Sequence, residues 1–146
     1  MYLTDEIKIT RVHDTLADGQ TDVDGDAVDM AGFDGVTFVG LTGAITTTGT
    51  VTLAAEQSTE AADNFVALAD VTAQAAAAAD SNKVLVLDVY RPNERYVRPT
   101  ITRATADSVY GGTIAIQYRS RSCPTTHDSA SLAAAVVQAL APAETS

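Results

Sequence analysis

Residues 83–121 read KVLVLDVYRPNERYVRPTITRATADSVYGGTIAIQYRSR, and the alternation of their apolar and polar side chains decides the fold. In Val84–Tyr90, residues Leu85, Leu87 and Val89 share one face, opposite Val84, Val86 and Tyr90 with Asp88 among them. Apolar residues on both faces predict a central strand. Arg91-Pro92-Asn93-Glu94 is a turn, with proline at a favoured turn position. Tyr96–Thr105 follows as a second strand, Val97 and Ile101 inward and Arg98, Thr100 and Thr102 outward. Pro99 has no N–H to give a ladder, which predicts an edge or a bulge here. After two further turn signals, Ala106-Asp107-Ser108 and Gly111-Gly112, a third strand runs from Thr113 to Arg119. It has Ile114, Ile116 and Tyr118 on one face and Thr113, Ala115, Gln117 and Arg119 on the other.

The same segment carries seven of the nine Lys and Arg residues of the chain against three acids, Asp88, Glu94 and Asp107. Residues 1–82 hold 14 acids against Lys8 and Arg11, and the whole chain of 146 residues has a formal net charge of −10. A basic β segment therefore sits in an acidic protein. The arginines have two readings. They balance the acids of the first half across neighbouring strands, or they form a basic face for an acidic protein partner, since guanidinium forks bind carboxylates bidentately. Arg91, Arg95, Tyr96, Arg98, Arg103, Arg119 and Arg121 are the interface candidates. On the second reading, exchanging Arg95 and Arg98 for Glu weakens partner binding without unfolding the chain.

Working outward, Thr and Val are abundant while Leu, Glu and Lys are scarce, which favours strands over helices. Ile7–Val12 predicts a first strand. Residues 14–29 are acidic and turn-rich and read as a loop. Val36–Leu41 is a nearly continuous apolar run, as in a strand buried on both faces. Val51, Leu53 and Ala55 alternate with polar or small residues in a half-buried strand. Residues 58–64 read as a polar loop, Phe65–Val71 as a short strand, and Ala73–Asp80 as a connection with one helical turn. In the tail, Leu132, Val136 and Leu140 recur every four residues from an N-cap at Asp128 to Pro142. The alternative there is an extended arm without a helix. Together these predict an all-β chain: a β-sandwich, specifically a jelly roll, over residues 1–121, with an irregular or short-helical tail over 122–146.

Composition excludes several functions. The net charge opposes general nucleic-acid binding, because phosphates repel such a surface. One cysteine, Cys123, forms no intrachain disulfide. The start, MYLTDEIKIT, is too polar for a signal peptide, and no apolar run approaches the ~20 residues that span a bilayer. The reading is a soluble chain made in the cytoplasm, without membrane partners.

Asp22, Asp24 and Asp26 alternate like the start of a calcium loop. An EF-hand needs Gly where Ala27 stands and Glu where Phe33 stands, so a solvated acidic loop is the simpler reading. Cys123 and His127 resemble a nucleophile and base or a pair of metal ligands, but the chain has too few His and Cys residues for a zinc site. Phosphate-loop, dinucleotide, nucleophile-elbow and zincin motifs are all missing. The expectation is a protein that is not an enzyme, with no cofactor and no metal.

The block DVYRPNERYVRPTITRATADSVYGGTIAIQYRSRSCPTTHD, with FDGVTFVGLTG and GTVTLAAEQS before it, resembles the capsid cement (head decoration) proteins of tailed bacteriophages. The likeness spans Ala27 to Asp128, and RPxxRYVRPxxTRAT is its most distinctive part. The resemblance implies a subunit that binds the outside of a capsid, with the major capsid protein as partner and a dimer or trimer as its own assembly. It implies a place on the virion exterior after synthesis in the host cytoplasm. The alternatives are a tail or head–tail joining protein, told apart by copy number and position, and a carbohydrate-binding β-sandwich, for which aromatic stacking residues are few.

Overall fold

Alternation sends one stripe of each long strand into a shared core. Val36, Phe38, Val51, Leu53, Val97 and Ile101 lose nearly all contact with solvent there. The computed structural model describes residues 2–68 and 73–140. After one helical turn, α1 (Leu3–Glu6), the described residues form eleven strands. They are β1 (Lys8–His13), β2 (Leu16–Gly19), β3 (Val23–Asp24), β4 (Val28–Asp29), β5 (Gly35–Ile45) and β6 (Thr50–Ser58), then β7 (Val66–Ala67), β8 (Gln74–Ala77), β9 (Val84–Tyr90), β10 (Tyr96–Ala104) and β11 (Ser108–Tyr118). A 3₁₀ turn, Ala78–Asp80, separates β8 from β9.

One five-stranded sheet runs β1-β11-β5-β9, with β2 also on β11, and the six-stranded sheet runs β3-β10-β6-β7, with β4 on β10 and β8 on β6. Every pairing is antiparallel. The two sheets pack against each other as an all-β sandwich. β5 occupies one side of β11, so β1 and β2 follow each other along the opposite side. β3 and β4 do the same on β10, and β7 and β8 on β6. Three outer positions are thus broken strands. No helix among the described residues is long and apolar enough to cross a membrane.

Several expectations change. Residues 14–29, read as a loop, supply β2, β3 and β4, because an edge strand needs one hydrogen-bonding neighbour and tolerates polar sequence. Of the connection 73–80, Ala78–Asp80 makes the expected single helical turn, while Gln74–Ala77 is a strand on β6, since a longer helix here is marginal while the ladder is available. β9 is an outer strand, not a central one, and Val86 on its outward face is 51% exposed. Val36–Leu41 is buried on one face only, Leu41 being half exposed. Among the described residues of Phe65–Val71, Val66–Ala67 is strand; 69–72 lie outside the described residues.

Pro99 is neither at an edge nor at a bulge. It sits within β10, opposite Ala55 of β6. Its carbonyl accepts a 2.7 Å hydrogen bond from the Gly25 N–H. Its nitrogen faces the same side, where the outer strand breaks between β3 and β4, so no donor is missed.

β11 turns an unusual face inward: Tyr110, Thr113, Ala115 and Gln117 are buried, while Ile114 and Ile116 stay partly exposed. The buried Tyr110, Thr113 and Gln117 side chains are all hydrogen-bonded, Gln117 Nε2 donating to the Asp29 carbonyl at 2.7 Å. The tail forms no helix up to Leu140; Pro142 lies outside the described residues. Instead it follows the free side of β1. His127 Nδ1 accepts the Ile9 N–H at 3.2 Å and Ser131 Oγ accepts the Arg11 N–H at 3.0 Å, covering an edge that would otherwise be open.

Candidate functional site

Three loops meet at one end of the sandwich: 30–34, the 91–95 crossing from β9 to β10, and 119–122 after β11. Gly32, at φ +87°, turns the first; a residue with a Cβ rarely adopts that conformation. Between the loops lies an open cavity of about 510 Å³, walled by Met30, Phe33 and Asp34 on one side and by Arg91, Arg95 and Arg121 on the other. A second groove of about 300 Å³ continues past Phe33 and Arg121 toward Lys8 and Thr126.

Asp34 organises this end. Its N–H donates to the Tyr118 carbonyl at 3.2 Å, and its own carbonyl accepts the Arg91 N–H at 2.8 Å. Its carboxylate lies 3.5 Å from Arg119 and 3.6 Å from Arg121. Arg91 and Arg119 both adopt left-handed backbone, φ +50° and +54°. Such strain persists only where surrounding bonds hold it, as Asp34 holds Arg91. The Arg91 guanidinium lies 5.2 Å from the Tyr90 ring centroid and has no carboxylate at ion-pair distance among the described residues.

The seven candidates therefore separate. Arg95 grips Asp29 through two hydrogen bonds of 2.9 and 2.8 Å, and that grip holds the Asp29 carboxyl below its usual range. Half-buried Tyr96 lies beneath the Arg95 guanidinium. Arg98 stands directly across from Glu56, 2.8 Å away, reaches Asp24 at 3.3 Å, and covers the Phe65 ring. Arg98 is a strut between the strand and its acidic neighbours. Arg103 leaves the surface altogether. It is 4% exposed and donates to the carbonyls of Thr21, Ala17 and Ser108 and to the Thr21 hydroxyl. Its removal from the interface set follows from burial. Arg91, Arg119 and Arg121 stay available to a partner, and all three lie at the Asp34 end.

The other motifs are used differently. Asp22 accepts the Arg103 N–H and Asp24 pairs with Arg98, so the acidic run braces β10. Among the described residues no three His, Cys, Asp or Glu side chains stand close enough to hold a metal. Cys123 is exposed, whereas both His127 ring nitrogens bond to backbone, Ile9 N–H and Thr4 carbonyl. His127 ties the tail to the N-terminal turn and does not face Cys123 as a base. Sequence reasoning missed Phe33 as the shared wall of both grooves and Asp34 as their hub. The local signal is the pair Asp34-Gly35, which favours a tight turn or bulge and says nothing of partners such as Arg119, 85 residues on. No family model matches the chain, and no curated protein is detectably similar to it.

Proposed function

We propose that this chain is a structural protein of a phage particle, one that binds the outer surface of the capsid and reinforces the shell. It acts through the arginine end rather than through chemistry at an active site. The observation that carries this reading is the exposed Arg91–Arg121 pair beside Phe33 in a chain of net charge −10. An uncompensated guanidinium over tyrosine, next to an apolar wall, suits a carboxylate-bearing protein surface. Each copy touching two capsid subunits multiplies modest contacts through effective concentration.

The jelly-roll part of the reading is supported by chain order. Counting each broken strand once gives eight positions, ordered 1-8-3-6 in one sheet and 2-7-4-5 in the other. That order wraps one long hairpin around the sandwich, as paired Greek keys do.

The test is the Arg91→Glu, Arg121→Glu double variant, mixed with purified heads lacking the protein. Bound copies per head should fall at least tenfold at physiological salt, by loss of two charge-assisted contacts of roughly 1 kcal/mol or more each. Circular dichroism of the free subunit should not change. Undiminished occupancy would sink the assignment. Arg98→Glu is unsuitable for this purpose, because it sets two acids against each other in a half-buried pair.

A further inference from the structure

The open cavity between the 30–34, 91–95 and 119–122 loops does not end at Phe33. It shares Ala31, Phe33 and Arg121 with the second groove, which runs on to Lys8, so the two form one trough across the end of the five-stranded sheet. Register measures its length. Lys8 pairs with Gln117, Gln117 with Val36, and Val36 with Val89, two residues before Arg91. Lys8 and Arg91 thus mark the two ends of the trough, three strand spacings or about 14 Å apart. Arg121, which follows β11, stands between them.

The walls of the trough are unlike. The 30–34 loop contributes Ala31 and half-buried Phe33, while the elements around it contribute Arg91, Arg121 and Lys8. Much of that positive charge is unmet within the chain. Asp34 is shared between Arg119 and Arg121. Neither Arg91 nor Lys8 has a carboxylate at ion-pair distance among the described residues. Asp29, the acid that feels the charge of Lys8, is already gripped by Arg95. Glu94, at the Arg91 end, is the one acid lining the trough without an ion pair among the described residues.

We propose that the trough holds an extended segment of the partner in which acidic and apolar residues alternate. Successive side chains of an extended chain point to opposite sides, so the acids face the cations while the residues between them face Phe33. Carboxylates on alternate residues stand about 7 Å apart, so three of them cover about 14 Å, the span from Lys8 to Arg91. Guanidinium forks take carboxylates bidentately, and the apolar wall keeps water from those contacts. A plain polyanion would meet the cations but leave Phe33 uncovered. The inference rests on reading the Arg91–Arg121 end as the binding site and adds what enters it, one strand-like segment rather than a broad folded surface.

Titration of the full chain with the peptide acetyl-Glu-Leu-Glu-Leu-Glu-amide at low salt, followed by NMR amide shifts, tests it. The shifts should centre on Lys8, Phe33, Arg91 and Arg121, with a Kd on the order of 1 mM or below. Glycine in place of each leucine of the peptide should weaken binding by roughly tenfold, and lysine in place of each glutamate should abolish it. Lys8→Glu should weaken binding by roughly fivefold or more, and Glu94→Gln should tighten it by about twofold. The second variant keeps the test valid even if Lys8→Glu fails to fold. No shifts along the trough, equal affinity for the glycine peptide, or variants that bind like the native chain would each overturn the proposal. The peptide needs no capsid, so the two readings fail separately. Peptide binding with undiminished occupancy of heads by the Arg91, Arg121 double variant removes the capsid reading alone. Lost occupancy without peptide binding removes this one alone.

Discussion

His13 Nδ1 lies 2.8 Å from Thr113 Oγ1, deep between the sheets, and this contact fixes the direction of a whole chain of hydrogen bonds. On the other side of the ring, Nε2 is 3.0 Å from the Val23 carbonyl, which only accepts. Nε2 therefore carries the proton and Nδ1 accepts from the Thr113 hydroxyl. Thr113 in turn accepts from the Tyr110 hydroxyl. The chain runs Tyr110, Thr113, His13, Val23 and joins β11 and β1 of one sheet to β3 of the other. This direction belongs to the neutral imidazole; a proton on Nδ1 would reverse the Thr113 hydroxyl and leave the Tyr110 hydrogen to find another acceptor.

Burial lowers the His13 pKa, opposed more weakly by the Val23 carbonyl and by Asp26, Asp24 and Asp14 nearby. Below about pH 6.5 the unfolded histidine takes a proton that the folded one resists. Stability is therefore full above that pH and falls as the pH drops toward the folded value. Urea unfolding at pH 7.5 and 5.5 should show the native chain losing about 1.4 kcal/mol per pH unit across the displaced window. His13→Gln should be less stable at pH 7.5 and flatter between the two. Equal slopes would exclude His13 as the group responsible.

Gly40 faces the Tyr110 hydroxyl so closely that a Cβ would overlap it. Gly40→Ala should cost about 1–3 kcal/mol by overpacking. Tyr110→Phe removes the colliding oxygen, so Gly40→Ala should cost less in that background. A double-mutant cycle by thermal unfolding reads this coupling directly. Simple additivity would mean that the backbone, not the hydroxyl, absorbs the strain.

Arg103 is a buried cation held by uncharged oxygens. Arg103→Ala would strip donors from the carbonyls of Ala17, Thr21 and Ser108. A loss of about 3 kcal/mol or more is expected, because buried carbonyls left without donors cost about 1–3 kcal/mol each. Arg103→Lys should rescue little, since one ammonium cannot span acceptors arranged for a planar fork. Chemical denaturation distinguishes these outcomes, and a mild Arg103→Ala phenotype would return this residue to the surface set.

Ser108 Oγ is buried without a hydrogen-bond partner among the described residues. Replacing a desolvated, unpaired hydroxyl with a methyl should raise stability, by up to about 1–3 kcal/mol. Calorimetry of Ser108→Ala should show an equal or higher Tm. A clear fall would reveal an interaction made through that oxygen.

The sequence by itself determined the all-β class and most of the long strands, because period-two alternation is a local property. Leu85, Leu87 and Val89, or Val51, Leu53 and Ala55, announce an inward face without knowing what they meet. It did not determine strand order, since two apolar faces suit a central strand and an outer strand with an exposed apolar face equally. β9 was misplaced for that reason, and Pro99 because the gap between β3 and β4 is set by residues seventy positions earlier. The arginines show the same limit. RPxxRYVRPxxTRAT looks like one basic stripe, yet cross-strand register gives Arg95 to Asp29 and Arg98 to Glu56. Arg103 falls on the inward stripe of β10 with Val97 and Ile101, and the carbonyls of Ala17, Thr21 and Ser108 take up its guanidinium there. Only Arg91, with Arg119 and Arg121 from a distant loop, stays open to a partner. Charge is written in the chain, but whether a charge is spent internally depends on which strand lies beside it, and that is decided by the tertiary fold.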